Sequence, residues 1–231
     1  MTAVLDHGFV ELIDLIGDDR RPVAAARVSF RRDEASLADD NAEQIQKDRG
    51  LLNRLLRDRH TSPFEHVVFQ FRIRAPIFVV RQWFRHRWAS YNEESGRYVK
   101  LKDEFYLPET LRLRVGKQMD YTYAPMDEPL NQQYLDRIAG HYGRARELYE
   151  ELLEQGVARE QARLVLPVAQ FTTFYWTVNA LSLMNFLHLR NQPAAQDEIR
   201  TYAEAIEAVF QERLPWTHAA FRDHWGAAAI H

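Results

Sequence analysis

Period-two alternation of apolar and polar residues is confined to three short segments, which limits the chain to a fold with a small sheet. In Phe64–Ala75, apolar residues share one face and polar residues the other, as in a strand with one side on a core. Val168–Asn179 is rich in β-branched and aromatic residues and is predicted to be a second strand. Phe9–Ile16 is a weaker third candidate. Because these segments are far apart along the chain, helices are predicted to separate the strands.

Helical periodicity dominates the remaining segments and decides the fold class. Helices are predicted at Ala42–Arg59, from Pro76 onward, at 130–155, at Leu181–Leu189 and at 197–213, where Pro215 is expected to end the helix. The polar segment 114–131, punctuated by Gly116, Pro125 and Pro129, is interpreted as a long surface loop. The sequence thus predicts an α+β (mixed α/β) fold in a single domain over residues 1–231, with a small antiparallel sheet and several amphipathic helices.

Composition excludes several classes of site and partner. The 231 residues include no cysteine, which excludes disulfides, thiolate zinc sites, iron–sulfur clusters and a cysteine nucleophile. A net charge of −3, from 30 basic and 33 acidic residues, argues against a protein that binds nucleic acid through its phosphates. No apolar run reaches about 18 residues, so no membrane span is expected. The first residues do not resemble a signal peptide, so a cytoplasmic location is expected.

One basic window, residues 81–100, stands out from this acidic background. It contains five Lys or Arg residues and two Glu, a local charge of +3. If the predicted helix continues, Arg81 and Arg85 are like charges one turn apart, and a bound anion would relieve their repulsion. Turn-forming residues and aromatic rings share the window, namely Ser90, Asn92, Ser95 and Gly96, and Trp88, Tyr91 and Tyr98. The window therefore indicates either a site for a phosphorylated, ring-bearing ligand or a solvated, charged helix end.

The same window carries a resemblance to a known family. Residues 85–98 read R-H-R-W-A-S-Y-N-E-E-S-G-R-Y. This segment resembles the R-H-R-x-x-S-x-N-E-x-S-x-R-Y signature of flavin-dependent thymidylate synthases and matches it at every fixed position. Blocks at 25–30, 60–66, 159–167 and 176–190 resemble the family's other blocks, in the family's order, so the similarity covers nearly the whole chain. Leu181 and Ala194 are departures, since relatives often have a basic residue and a histidine there.

This resemblance implies a reaction, cofactors and an assembly. Members of the family convert dUMP to dTMP with a methylene group from methylenetetrahydrofolate and a hydride from FAD that NADPH has reduced. They are homotetramers of mixed α/β fold, the thymidylate-synthase-complementing fold, with active sites shared between subunits. The resemblance thus implies FAD as the cofactor, with NADPH and methylenetetrahydrofolate as co-substrates. No metal, nucleic acid or membrane partner is expected.

The resemblance also implies roles for individual residues. Arg190 aligns with the arginine that is held to be catalytic in the family. The implied dUMP-binding residues are Gln82, Arg85, Glu93, Ser95, Gly96, Arg97, Arg163 and Arg190. The implied FAD-binding residues are Ser29, Ser62, Arg85, His86, Arg87, Trp88, Glu93, Asn179 and Asn185, and His60 matches a position near the folate.

The chemistry of arginine agrees with the role implied for Arg190. Methylation of uracil at carbon 5 requires an electron-rich ring, yet the chain has no cysteine to add to carbon 6. An arginine beside the N3–O edge of uracil can stabilise the ring anion where water is excluded. Arg190 is predicted in the last turn of a helix, where the helix dipole favours a positive charge. A capping arginine without a catalytic role is the alternative interpretation.

Three other classes of protein remain as alternatives. A metal hydrolase would draw on histidines such as His60 and His218, but the chain has no H-E-x-x-H motif. A single-strand-binding module would use the interleaved arginine and aromatic residues of 81–98, which form a compact window rather than a stripe. A nucleophilic hydrolase would need a serine such as Ser90, yet no G-x-S-x-G elbow is present.

Overall fold

The computed structural model describes residues 1–28, 41–117 and 120–225 of the chain. The described residues belong to two compact units. The first unit falls within Met1–Arg74, Val79–Glu93 and Thr173–His231, and the second within Ala75–Phe78 and Glu94–Thr172. The prediction of a single domain over residues 1–231 stays a prediction. Within the described ranges, no helix has both the length and the apolarity needed to cross a membrane.

The described residues form seven strands and eight α-helices. The strands are β1 (Thr2–Val4), β2 (Gly8–Ile16), β3 (Val68–Pro76), β4 (Ser90–Glu93), β5 (Arg112–Lys117), β6 (Asp120–Pro125) and β7 (Phe171–Asn179). The helices are α1 (Arg20–Arg27), α2 (Ala42–Arg57), α3 (Ile77–Trp83), α4 (Leu130–Glu154), α5 (Arg159–Ala162), α6 (Ala180–Arg190), α7 (Asp197–Arg213) and α8 (Pro215–Trp225). Short 3-10 helices form at Ser62–His66 and Arg163–Val165.

The main sheet has five strands in the order β1-β2-β3-β7-β4. β2 pairs antiparallel with β1 and with β3, and β4 pairs antiparallel with β7. This combination of helices with an antiparallel sheet confirms the predicted α+β class. β2 confirms the third, weaker strand prediction.

Both longer strands begin later than the sequence predicts. Ser62–His66 forms a 3-10 helix before β3, because Pro63 lacks an N–H and its fixed φ suits a first helical turn. β7 begins at Phe171, because the N–H of Gln170 closes a turn by donating to the carbonyl of Pro167 at 3.0 Å. Apolar alternation therefore identified the strands but not their first residues.

A cluster of buried aromatic rings forms the core of the first unit. The ring centroid of Trp83 lies 4.9 Å from that of Phe186 and 5.3 Å from that of Trp176. Phe71 of β3 stacks on Trp176 at 5.7 Å. All four side chains are fully buried, and rings of this size dominate the energetics of a core. The cluster fixes the end of α3 against β7 and α6, the elements that carry the site described below.

Capping residues explain where several helices begin. The Asn179 side chain accepts the N–H of Ser182 at 2.8 Å and starts α6. α7 ends at Arg213, as predicted, but Pro215 also begins α8, since proline suits a first turn. The Asp19 carboxylate accepts backbone N–H groups of α8 at 2.8 Å and satisfies donors that the helix leaves unpaired.

The prediction of a surface loop at 114–131 is wrong, because in the second unit this segment forms most of the β5–β6 hairpin and the start of α4. The hairpin pairs antiparallel from Arg112 opposite Pro125 to Lys117 opposite Asp120. Every residue of β5 is exposed, so no buried face produced the alternation from which a strand is predicted. Hairpins β1–β2 and β5–β6 also contradict the prediction that helices separate all strands.

Candidate active site

The basic window begins where α3 ends, in the first unit. After Trp83 the chain tightens, with the N–H of Arg85 donating to the Gln82 carbonyl at 3.3 Å and that of His86 to the Trp83 carbonyl at 3.0 Å. The hydroxyl of Tyr91 donates to the carbonyl of His86 at 2.7 Å and holds this turn. Because α3 ends at Trp83 and does not continue to Arg85, Arg81 and Arg85 are not like charges one helical turn apart.

Ser90 and Asn92 lie in a strand rather than in the predicted turn. They face Thr177 and Tyr175 of β7 in the antiparallel register of β4. Between them, the ring of Tyr91 lies nearly parallel to that of Trp176, at an interplanar angle of 11° and a centroid distance of 6.5 Å. Cross-strand aromatic packing of this kind outweighs the turn preference of Ser and Asn.

A cavity of about 430 Å³ lies beside this segment in the first unit. Its volume is within the range of about 300–1,000 Å³ that is typical of ligand sites. The lining comes from the segment after α3, from β7 and from α6, namely Arg85, His86, Arg87, Trp88, Ala89, Trp176, Val178, Ser182, Asn185 and Leu189. Five of these residues are ones that the resemblance implies for FAD. Trp88 is 76% exposed, so its ring is accessible to a ligand.

His86, which lines this cavity, contacts Arg190 although the two residues lie 104 positions apart. The Nε of Arg190, the last residue of α6, donates to the Nε2 of His86 at 3.0 Å. The ring of His86 also packs edge-on against the buried Phe186, at 5.0 Å between centroids. The contact thus ties the end of α6 to the signature segment.

Burial controls the charge state of this pair. Desolvation, together with the positive charge of Arg190, lowers the pKa of His86 to about 4. The imidazole is therefore neutral at neutral pH, and because its Nε2 accepts a hydrogen bond, its proton resides on Nδ1. Burial also lowers the pKa of Arg190, although a guanidinium remains charged. The pair places a partly desolvated cation directly beside His86, which lines the cavity.

The other residues that the resemblance implies for FAD and folate have different surroundings. Asn185 lines the cavity from α6, whereas the side-chain oxygen of Asn179 is used as the N-cap of that helix. Ser62 and His60 are exposed around the start of the 3-10 helix. Ser29 lies outside the described residues.

Gln82 has a partner that the sequence did not reveal. Its Nε2 donates to the Oε1 of Gln196 at 2.9 Å, and the Nε2 of Gln196 donates to the Oε2 of Glu198 at 2.8 Å. Gln196 immediately precedes α7. A contact across 114 positions has no periodic signal, so the sequence could suggest Gln82 only through the resemblance.

The second half of the signature forms an arginine-rich turn in the second unit. The N–H groups of Tyr98 and Val99 both donate to the carbonyl of Ser95, at 3.0 and 3.2 Å. Two residues of α5 contact this turn: Arg159 donates through Nη1 to the Tyr98 carbonyl at 2.7 Å, and Glu160 accepts from the Nε of Arg97 at 2.8 Å. The turn is held mainly by exposed charged groups.

Gly96 brings this turn close to Arg163. A Cβ on Gly96 would lie 3.2 Å from the Cδ of Arg163 and 3.2 Å from the Cδ1 of Leu101. Gly96 is buried while Arg163 is exposed, so the glycine allows the stem of an accessible arginine to pack on the turn. Ser95, Gly96, Arg97 and Arg163 are thus brought together within the second unit.

The structure therefore divides the implied nucleotide residues between the two units. The first unit contains Gln82, Arg85, Glu93 and Arg190, with Glu93 exposed at the last position of β4. At the two departures from the family pattern, Leu181 is buried and Ala194 is exposed. In the described part of the chain, no group of three or more His, Asp or Glu residues is arranged to hold a metal ion.

Comparison with known proteins gives the chain its relatives. The family model described as thymidylate synthase complementing protein matches residues 11–216. The flavin-dependent thymidylate synthase of Thermosipho africanus is 49% identical over 218 residues, covering 94% of this chain and 92% of the relative. An enzyme of the same name from Thermus thermophilus is 47% identical over 221 residues, covering 96% of this chain and 78% of the relative.

A solved structure is similar in fold over almost the whole chain. The UMP/dUMP methylase PolB from Streptomyces cacaoi, bound with 5-Br dUMP, has a TM-score of 0.87 and 39% identity, covering 99% of this chain and 100% of that one. These matches confirm the predicted fold and the resemblance drawn from residues 85–98. The chain belongs to the flavin-dependent thymidylate synthase family, the thymidylate synthase complementing proteins.

Proposed function

We propose that this protein is a flavin-dependent thymidylate synthase that reductively methylates dUMP to dTMP. The observation that carries the proposal is the complete signature at 85–98, whose first half lines a cavity that Arg190 also reaches through His86. Family membership and the activity named for its relatives support the same reaction. Methylenetetrahydrofolate is the proposed carbon donor and NADPH the proposed reductant. A nucleotide substrate with these two co-substrates supports a cytoplasmic location.

FAD is the cofactor that fits the cavity of the first unit. Trp88, Val178 and Leu189 supply apolar surface for a flat ring, while Arg85, His86 and Asn185 supply hydrogen-bonding groups for ring edges and phosphate. When bound, FAD supplies the hydride that it has received from NADPH. Arg87, Glu93, Ser62, Asn179 and Ser29 complete the proposed FAD set, and His60 is proposed to lie near the folate.

For dUMP, the arginine-rich turn supplies anion-binding chemistry. Arg97 and Arg163 present exposed guanidinium groups, which match phosphate oxygens bidentately. Ser95 and Gly96 add backbone and hydroxyl groups to the same turn. We propose that these four residues, with Gln82, Arg85, Glu93 and Arg190, bind the nucleotide.

Arg190 is the proposed catalytic residue. Removal of water strengthens the interaction between a fixed positive charge and the negative charge that develops on the uracil ring. His86 accepts the Nε–H of Arg190 without carrying an opposing charge, so the guanidinium keeps its full charge for the substrate. Electrostatic activation of this kind requires no cysteine, which agrees with the composition.

A homotetramer with active sites shared between subunits is the proposed assembly. The β5–β6 hairpin of the second unit exposes Leu113 and Val115 on the same face, at 42% and 50% of their surfaces. Grouped apolar side chains of this kind are typical of surfaces that contact another chain. Light scattering of the purified protein should give four times the chain mass of 27.2 kDa.

The decisive experiment is the release of tritium from carbon 5 of labelled dUMP. The purified chain is incubated with NADPH and methylenetetrahydrofolate, with and without FAD, and release is expected only when FAD is present. A parallel assay with labelled UMP tests the selectivity for the sugar, since the solved relative is named for both nucleotides. Absence of tritium release from both, in protein that quenches the fluorescence of added FAD, would contradict the proposed reaction but not the flavin site.

A further inference from the structure

A largely buried carboxylate outside the cavity contacts the end of the helix that carries Arg190. Glu207 lies on α7, and its side chain is only 12% exposed. Its Oε2 accepts from the Nδ2 of Asn191, the residue that directly follows Arg190. Its Oε1 accepts from the Nε2 of His218 at 2.9 Å and from the Nη1 of Arg222 at 3.3 Å, both on α8.

The charge of Glu207 is kept by these partners. Burial acts to raise the pKa of Glu207, but hydrogen bonds from His218 and Asn191 and the charge of Arg222 outweigh it and lower the pKa. The carboxylate is therefore ionised at neutral pH and accepts three hydrogen bonds at once. Charge-assisted hydrogen bonds of this kind are roughly twice as strong as neutral ones.

At the end of α6, such an anchor sets the orientation of the last residues of the helix. The last carbonyl groups of a helix lack partners within it, and helix ends tend to fray. Asn191 is the C-cap of α6, with its N–H donating to the carbonyl of Leu187 at 2.8 Å. Because Asn191 is also tied to α7 through Glu207, the chain is anchored directly after Arg190, while the Arg190 side chain is held by its hydrogen bond to His86.

We propose that Glu207 is a positioning residue for Arg190, acting through Asn191. Glu207 holds the C-terminal end of α6 in the arrangement in which the Arg190 guanidinium contacts His86 and faces the reacting ring. The inference rests on the catalytic role proposed above for Arg190. Glu207 itself lies outside the cavity lining and takes no part in the chemistry.

The first test measures the helix end directly, without any assay of activity. Amide hydrogen exchange is followed in the full-length, FAD-loaded protein and in Glu207→Ala and Asn191→Ala variants. Both variants should exchange faster at residues 187–193 while the middle of α7 keeps its protection. Glu204→Ala is the matched control, because Glu204 lies one turn earlier on α7, is 57% exposed and pairs with Arg200 at 3.6 Å. Unchanged exchange at 187–193 in both variants would overturn the inference.

The second test asks whether the effect on the reaction passes through Arg190. Glu207→Ala should lower kcat about tenfold or more with a smaller change in the KM for dUMP, as expected when transition-state stabilisation is lost. Glu207→Gln should recover most of the turnover, since its amide oxygen can still accept from Asn191. In an Arg190→Ala background, adding Glu207→Ala should change kcat less than about twofold, because residues that act as a unit are not additive.

The outcomes separate this inference from the proposed function. An equal loss of kcat on Glu207→Ala in both backgrounds would indicate a general structural effect and overturn the positioning role. If Arg190→Ala alone keeps full turnover, the catalytic role proposed for Arg190 fails. The positioning role then fails with it, even where hydrogen exchange confirms the anchor on α6.

Discussion

The two halves of the signature meet different environments within fourteen residues. Residues 85–93 run beside a cavity in the first unit, against the buried rings of Trp176 and Phe186. Residues 94–98 belong to the second unit and form a turn held by exposed arginines and a glutamate. In the first region, burial sets the charge state of His86, which contacts Arg190, whereas in the second, accessible ion pairs hold the charged groups.

The arginines of these regions differ in their partners. Arg190 donates to a neutral imidazole and is partly desolvated. Arg97 donates to the carboxylate of Glu160, and both side chains are about half exposed, at 56% and 51%. A neutral partner leaves the whole positive charge available to a substrate, while a carboxylate partner must be exchanged for a bound anion. The comparison separates an arginine suited to stabilising a transition state from one suited to binding phosphate.

The largest expected effect is the loss of turnover on Arg190→Ala. Removing one pre-oriented group that stabilises developing charge costs about 10²- to 10³-fold in kcat. Tritium release from labelled dUMP measures the loss, with Arg213→Ala as a control because Arg213 is exposed at the end of α7. Equal turnover in the Arg190→Ala and Arg213→Ala variants would mean that Arg190, like the exposed Arg213, has no catalytic role.

A change in the arginine-rich turn of the second unit is expected to weaken dUMP binding rather than to slow turnover. Gly96→Ala introduces a Cβ at 3.2 Å from both Arg163 and Leu101, so the arginine stem must move by a few tenths of an ångström. We expect the dissociation constant for dUMP to rise about tenfold, in line with the sensitivity of ligand sites to small displacements. Titration of FAD should remain unchanged, because the cavity lies in the first unit.

Gly143→Ala is the matched control for that variant. Gly143 lies in α4, and a Cβ there meets no atom within 4 Å. Replacing a glycine within a helix by alanine should raise stability by about 0.5–1 kcal/mol, without a change in dUMP affinity. A weaker affinity in both variants would mean that the second unit responds as a whole and that Gly96 has no special role.

Predictability from the sequence differed between the two regions for physical reasons. The strands β2 and β7 bury one face and the amphipathic helices α2 and α7 bury one stripe. The resulting periodic pattern of apolar residues predicts these elements from the sequence. The hairpin of β5 and β6 has no buried face on β5, and the prediction took its glycine and prolines for a loop. The contact of Arg190 with His86 joins residues 104 positions apart, which no local pattern records. The resemblance suggested both residues, His86 through the signature and Arg190 through the block at 176–190, but not that they touch.

The buried region should also respond to pH. The pKa of His86 is about 4 in the folded chain, below the value of about 6.5 for an exposed histidine. Between these values the unfolded chain binds a proton that the folded chain does not, so the free energy of unfolding falls as the pH drops from about 6.5 to about 4. Above this window neither state is protonated at His86, and this contribution is constant.

His86→Gln tests this dependence, because glutamine does not titrate and can still accept from Arg190. Urea unfolding at about pH 7 and about pH 4.5 should show a smaller loss of stability in the variant than in the original protein. Identical losses would mean that His86 is accessible to protons in the folded state. His86 would then resemble the exposed groups of the second unit.

The smallest expected effect concerns the exposed pair of Arg97 and Glu160. Glu160→Gln removes the charge that competes with phosphate for Arg97, so dUMP should bind about two- to threefold more tightly at low ionic strength, a change typical of a surface ion pair. Added salt should remove this gain, because exposed charges are screened. Glu154→Gln, at an exposed position in the same unit, changes the net charge equally without touching Arg97. Weaker binding by Glu160→Gln would mean instead that Glu160 orients Arg97 for the nucleotide, as His86 orients Arg190.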